Sequence, residues 1–474
     1  LVEVINRMGQ SVRYFGYRQH IMVRHGQPGG IDVRYTYDTY SPQGKVLPQR
    51  NLEGLDYSFE YRRDRTIVTD SLGRVDNYHF AGEAGLRRLV KHVRADRSVV
   101  ERNYDYAGRL IAVVDPLGRV TRFRLGSDGR ELGITRPDLT IESNRYDVKR
   151  GDLIGTEDPL GRRVLIERDV CGNPVAFVGF SGVATRYVYG RADMSDRPSR
   201  IVDAKGKSKH LTWNRLGQLE SFADCSGYTT FYAYDSDGNQ TSVTNAAGGV
   251  TRYFYDRAGR LLGMVLPDGG EIKNVLDHLG RRSGMSDTLG RVYHFTHDRF
   301  GNVIESVDPQ GHVLIFKFDL AGRLESLLNE NGAESRFFYD VLDRLIGEVG
   351  FDGHRRRYGY NLAGELVERE DQPGLLTRFV RDGLGRLTAL HVPATDTVPA
   401  HIQSFSYDAA GQLLEAKTPE VTVNMVYDSS GYLVAETQQH VDGWCYHHSH
   451  QHDALGVRES SRYDGVPEIQ WLTY

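Results

Sequence analysis

The chain is poor in what staples small folds and in what crosses membranes. Its 474 residues include three cysteines, Cys171, Cys225 and Cys445, too few and too spread for a disulfide framework or a zinc knuckle, and suited to a reducing compartment. No apolar run is long enough to span a bilayer, and no signal peptide is expected. Charge of one sign is not in excess: 59 basic and 63 acidic residues lie interspersed, so nothing recommends a nucleic acid or an anionic membrane as partner. The chain lacks a G-x-x-x-x-G-K-[ST] phosphate loop, an H-E-x-x-H pair and a G-x-S-x-G elbow, so no cofactor is expected. Hydrophobic residues make up 39%, and mean hydropathy is −0.48, too little for a thick two-layered apolar core. What is abundant is glycine, at 52 residues, and tyrosine, at 28.

The glycines are metred. Gly217, Gly238, Gly259, Gly280, Gly301, Gly322, Gly364 and Gly385 fall on one 21-residue spacing, broken only where Asp343 stands. Three residues before each mark is Asp or Asn, as in Asp235, Asp256, Asp298 and Asp319. An Asp or Asn there accepts hydrogen bonds from N–H groups within the turn, and the glycine takes the left-handed conformation that a type I turn plus bulge demands. A second series, Gly206, Gly227, Gly248, Gly269, Gly290, Gly311, Gly332, Gly353 and Gly374, lies between the marks of the first. The chain therefore reverses about every ten residues, and one repeat is one β-hairpin plus the link to the next. Strands of about six or seven residues are expected between turns.

Aromatic pairs such as Tyr232/Tyr234, Tyr253/Tyr255 and Phe337/Tyr339 precede the first-series turns and share one face of a strand. Aliphatic residues such as Leu219, Leu261 and Leu324 follow them. Successive hairpins would stack these as an aromatic and an aliphatic ladder. The fold class expected is all-β: a long array of 21-residue hairpins winding as one spiral antiparallel sheet into a hollow shell. Sheets beyond about ten strands curl, split or close. By regularity the chain divides into residues 1–100, 101–390 and 391–474, the first and last less regular. No cap hides a sheet edge at either end, which is expected of a segment whose edges meet further chain or another copy.

"YDYAGRL" (104–110), "DPLGRVTRF" (115–123), "YDSDGNQ" (234–240), "YDRAGRL" (255–261) and "FDLAGRL" (318–324) resemble the YD repeats of the RHS (rearrangement hotspot) family. The resemblance implies a β-shell, or cocoon, enclosing a toxic C-terminal polypeptide, as in the cage of insecticidal Tc toxins and part of teneurins. It further implies secretion spike, plug and chaperone partners, type VI delivery in bacterial competition, synthesis in the bacterial cytoplasm and export to target cells. Family self-cleavage uses an aspartate-dependent DPxGL sequence. Here Asp115, Asp158 and Asp308 lie in ordinary second-series turns followed by Arg or His, so no cleavage is assigned to them and the segment itself is not expected to be an enzyme.

Outside the repeats, "WCYHHSHQHD" (444–453) would place His448, His450 and His452 on one strand face, a weak three-imidazole metal candidate. The recurring aspartates are turn formers, and Arg260, Arg323, Arg344 and Arg386 are expected to pair across strands with neighbouring carboxylates. The alternatives to a toxin shell are a carbohydrate- or cell-surface-binding module, suggested by the aromatic rows, and a Tc cage component.

Overall fold

Two alternating turns set the length of every strand in the regular part of the chain. The protein is described by a computed structural model covering residues 2–83, 86–190, 196–371, 374–464 and 472–473. Among these residues there are 44 strands, from β1 (Glu3–Ile5) to β44 (Leu472–Thr473), and no helix. Hence no helix is long and apolar enough to cross a membrane. Strands consecutive in the chain pair antiparallel, in one sheet.

The turn at Asp256 shows why the chain reverses. The N–H of Gly259 donates to the Asp256 carbonyl and the N–H of Asp256 to the Arg260 carbonyl, both at 3.0 Å. The Asp256 carboxylate accepts the N–H groups of Ala258 and Arg260 at 2.8 and 3.0 Å. Gly259 adopts φ +79°, a region that costs an L-residue about 1–2 kcal/mol. Asn245 does the same in the preceding turn, accepting from Ala247 and Gly249 at 3.0 and 2.8 Å. Because the turn closes over five residues rather than four, the strands are shorter than the sequence led us to expect. They alternate between six residues, as in β24 (Val250–Tyr255), and five, as in β25 (Leu261–Val265).

The two series differ in one respect that their sequences do not announce. Across the first-series hairpin of β24 and β25 the register runs Tyr253–Met264 and Phe254–Gly263, then slips to Tyr255–Leu261. Across the second-series hairpin of β25 and β26 (Glu271–Leu276) it runs Gly263–Lys273, Met264–Ile272 and Val265–Glu271 without a slip. The same alternation recurs in the neighbouring repeats. A bulge bends its strand and increases local twist, so every repeat adds the same bend at the same edge.

The sheet is one layer thick. Among the described residues the buried hydrophobic side chains are Val33, Val100, Ala112 and Ala176. Each regular strand has two unlike faces. In β24 Thr251, Tyr253 and Tyr255 are half-buried, whereas Arg252 and Phe254 on the other face are exposed.

The chain forms two units. Unit 1 comprises Leu1–Glu101 and Thr230–Tyr358, and unit 2 comprises Arg102–Thr229 and Gly359–Tyr474. Each joins two stretches of chain remote in sequence.

Candidate functional site

Charge, repetition and contacts remote in sequence coincide at the turns, so the turn rims are the candidate site. The arginine that follows the glycine folds back first on its own turn, and in two repeats it also meets a neighbouring carboxylate as expected, Arg323 lying 2.8 Å from Asp343 and Arg344 3.6 Å from Asp96. Arg260, Arg323 and Arg344 donate Nε to the carboxylates of Asp256, Asp319 and Asp340, each at 2.6 Å, and Arg386 to Asp382 at 2.7 Å. Four residues on, the closed turn brings this side chain beside the first one, and the guanidinium fork matches the carboxylate oxygen left over from the backbone bonds. Where the position is Asn, the amide substitutes: Asn239 binds Asp235 and Asn302 binds Asp298, both at 2.9 Å. The carboxyl of Asp235 is thereby held below its ordinary range, first by Asn239 and then by the turn N–H groups. Arg291 does the same for Asp287. At Asp319 burial pushes upward, and Arg323 with the backbone donors outweighs it.

With Nε committed, the terminal nitrogens are free to reach outward, and the two series use them differently. Most first-series arginines run along their own rim, Arg109 donating to the Gly126 carbonyl at 2.8 Å, Arg323 to Asp340 at 3.2 Å and Arg386 to Asp408 at 3.0 Å, while Arg260 and Arg344 also reach Met8 and Asp96 at 3.5 and 3.6 Å. Second-series arginines bridge to chain about 250 residues later. In unit 2, Arg119 binds Glu365 at 2.8 Å and Arg162 binds Gln412 at 2.9 Å, sequence separations of 246 and 250. Lys205 meets Asp453 at 2.5 Å in the same unit. In unit 1, Arg7 meets Asp237 at 3.0 Å and Glu53 meets Arg299 at 3.3 Å. Each unit thus contains a seam at which second-series turns of the earlier stretch abut first-series turns of the later one.

Asp343, the one residue that interrupts the glycine series, is explained by this seam. It holds the left-handed conformation at φ +64°, which Asp tolerates better than most residues. Its carboxylate lies 2.5 Å from Arg74 across the seam and 2.8 Å from Arg323 along the rim. A glycine would satisfy the backbone and forfeit both ion pairs.

Tyrosine before the turn aspartate has its own task. The ladder between β31 (Leu324–Leu328) and β32 (Glu334–Tyr339) stops at Ser326–Arg336, short of Leu324. The Tyr339 hydroxyl donates to the carbonyl of Leu324 at 3.0 Å. Tyr255, Tyr189 and Tyr427 do likewise to Gln240, Pro174 and Leu413. Arg168 and Arg381 stand in the tyrosine position and donate Nε to Leu153 and Leu366 at 3.2 and 3.1 Å. Equivalent rings in successive hairpins lie two strands, about 9.6 Å, apart, beyond the 4.5–7 Å of ring contact. The expected aromatic ladder is therefore interleaved with cations: Arg323 lies over Tyr339 at 4.9 Å and Arg386 over Tyr407 at 5.0 Å.

The predicted turn residues occupy the turns: Gly238, Gly259, Gly301 and Gly322 all have positive φ, between 77° and 95°. Asp115, Asp158 and Asp308 accept from their turn N–H groups in the same way. His448, His450 and His452 share a face of β42 (Cys445–His452) but are held apart by other partners. His448 packs edge-on against Tyr463 at 4.4 Å, His450 hydrogen-bonds Ser461 at 2.9 Å and His452 stacks on Tyr432 at 5.3 Å. Among the described residues no three His, Cys, Asp or Glu side chains are placed to hold a metal ion. Burial, foremost, keeps His450 below its usual pKa. The three cysteines are free and exposed.

Comparison with known proteins agrees with this geometry. The RHS Repeat model matches residues 104–141, 213–250, 234–271 and 277–313. The toxin protein Tse5 of Pseudomonas aeruginosa is 56% identical over the whole chain, which spans 36% of that protein. Among solved structures, a TcdB2–TccC3 complex superposes with a TM-score of 0.64 at 13% identity, covering 98% of this chain and 30% of that one. The Tc holotoxin pore of Photorhabdus luminescens gives 0.59 at 13% identity, covering 97% and 31%. The chain therefore spans about a third of the relatives it matches.

Proposed function

We propose, from the premise that this chain belongs to the RHS repeat family, that it is a wall segment of a toxin shell, which encloses a toxic polypeptide and keeps it from the producing cell until delivery. The seam carries the reading. In each unit the sheet meets itself turn to turn after about 250 residues, as a ribbon must if it is to wall off a compartment. The repeated one-sided bulge supplies the bend. Its 56% identity to a toxin protein supplies the contents.

The segment's own role in this reading is containment without catalysis. Partners beyond the enclosed polypeptide would be the secretion spike, plug and chaperones that carry such shells, with type VI secretion as the route from the bacterial cytoplasm. Limited proteolysis of the natural gene product tests the proposal. A toxic segment protected in the native protein, and digested once the shell is unfolded by denaturant, is the expected result. Equal digestion in both states would overturn it, and glycan-array binding by the chain with no protected segment would favour the carbohydrate-binding alternative.

A further inference from the structure

β42 departs from the strands it resembles. Regular hairpins set tyrosine directly before the turn aspartate, as in Tyr255 and Tyr339, but this hairpin sets His452 before Asp453, with His448 and His450 preceding it on the same face. Tyrosine stays neutral across the physiological range, and imidazole does not. His450 is the most enclosed of the three, 8% exposed, with Nδ1 hydrogen-bonded at 2.9 Å to Ser461 of β43 (Arg458–Asp464), which is wholly buried. His452 lies opposite Arg458 across the same strand pair, and its own Nδ1 is buried without a hydrogen-bond partner.

The groups around His450 are poorly suited to a proton there. From its own strand come His448 and His452, two residues to either side and so about 7 Å away. From β43 come Arg458 and Tyr463, and Tyr432 stacks on His452 from the turn before β41 (Leu433–His440). β41 supplies Glu436, opposite His448 and bound by Gln438 at 2.6 Å, and β40 (Val421–Tyr427) sets the uncharged Met425 beyond it. Burial foremost, then Arg458 and His448, disfavours the imidazolium, and Glu436 opposes them without prevailing.

We propose that β42 and β43 form an acid-operated catch: neutral imidazoles let the two strands pair, and a proton on His450, beside Ser461 and Arg458, parts them while the tyrosine-bearing hairpins stay closed. Opening the pair gives the new charge to water, whereas keeping it closed buries that charge among other cations. Because the folded value of His450 is depressed, the pair is fully stable above the ordinary imidazole value of about 6.5 and weakens as pH falls below it toward the folded value. The turn does not let go with the strands. Lys205 holds Asp453 at 2.5 Å, and that carboxyl, held below its ordinary range, stays ionised in the same window. The catch acts at the end of unit 2, where β44 pairs with β43. It concerns the pairing of two strands and holds whether or not the sheet encloses a polypeptide.

Hydrogen exchange of the 474-residue chain at pH 7.5 and 5.0, corrected for the intrinsic pH dependence of exchange, provides the test. Protection in β42 and β43 should fall at least threefold at pH 5.0 and recover on return to pH 7.5, while β24 and β25 hold theirs. His450→Gln, which keeps a neutral partner for Ser461, should lose most of this pH dependence, and Arg458→Met should lessen it. Should either variant fail to fold, the wild-type chain still decides. Protection unchanged at pH 5.0, or lost equally in the regular hairpins, would overturn the proposal, as would an undiminished loss in a folded His450→Gln chain. Enclosure plays no part in the measurement, so its failure leaves the protease-protection test of the shell untouched.

Discussion

The two rims of the hairpin array use the same turn and spend its arginine differently. In both, an aspartate gathers two backbone N–H groups and the following arginine. On the first rim most spare guanidinium nitrogens tie a turn to its neighbour in the same row, next to a bulged ladder, and a tyrosine hydroxyl there completes the adjoining regular ladder. On the second rim the ladder is regular and the spare nitrogens reach chain about 250 residues away. One turn chemistry therefore builds both the continuous row and the joint between rows. The row rests on backbone ladders and the joint on side chains alone, so the joint is the weaker of the two.

The largest effect should come from the part the rims share. Asp319→Ala on the first rim and Asp158→Ala on the second each strand two turn N–H groups and one guanidinium, a loss of about 1–3 kcal/mol apiece. Hydrogen exchange of the flanking strands should register nearly equal losses of protection. A first-rim loss several times the second would mean that the turns are not energetically alike.

Next comes the backbone conformation. Gly322→Val forces a β-branched residue into φ +77°, at a cost of about 1–2 kcal/mol. Asp343→Gly relieves a smaller strain and removes two ion pairs. The first substitution should lower the unfolding midpoint in urea, and the second should leave it within error while removing the salt dependence of protection at Arg74. Loss of midpoint in both would refute the assignment of Asp343 to the seam.

Tyr339→Phe separates the rims further, because its hydroxyl bond to Leu324 lies at the first rim. It should cost about 1 kcal/mol, confined to exchange at Leu324–Ser326 and β32, and Tyr339→Arg should restore part of it as Arg168 and Arg381 do naturally.

The sequence made the turns legible because an Asx–Gly turn is a local event, written in four or five consecutive residues. Asp235, Asp256, Asp298 and Asp319 needed nothing else to be placed. Strand length was overestimated because the closing pair from Asp256 to Arg260 takes a fifth residue, which the positions of aspartate and glycine do not mark. Arg260 was assigned to the wrong carboxylate for the same reason: its partner depends on the closed turn. That the sheet winds as a spiral was expected, but the residues of the seam were not legible. Its partners stand about 250 residues apart, and no local pattern of residues marks which turns will meet. Asp343 was the available clue, a charged residue in a left-handed glycine position.

The smallest effects belong to the seam, and they separate it from the ladders by their response to solvent. Ion pairs near the surface contribute about 0.2–1 kcal/mol each and weaken with salt, so Glu365→Gln, which removes the charge facing Arg119, should shift the stability of unit 2 only slightly, and less at 1 M NaCl, whereas the bridge from Arg162 to the uncharged Gln412 should respond little to salt. At Lys205–Asp453, Lys205 foremost holds the Asp453 carboxyl below its ordinary range, and Asp453 foremost raises Lys205. A depressed carboxyl contributes fully above its unfolded pKa of about 3.9 and loses that contribution as pH falls through the lower folded value. A raised ammonium contributes fully below about 10.4 and loses it as pH rises through the folded value. The difference in thermal midpoint between wild type and Lys205→Met should therefore be constant from about pH 5 to 9 and vanish at both extremes. A difference that persists at pH 2 would show that Lys205 acts by packing, and the seam would then be apolar in character rather than ionic.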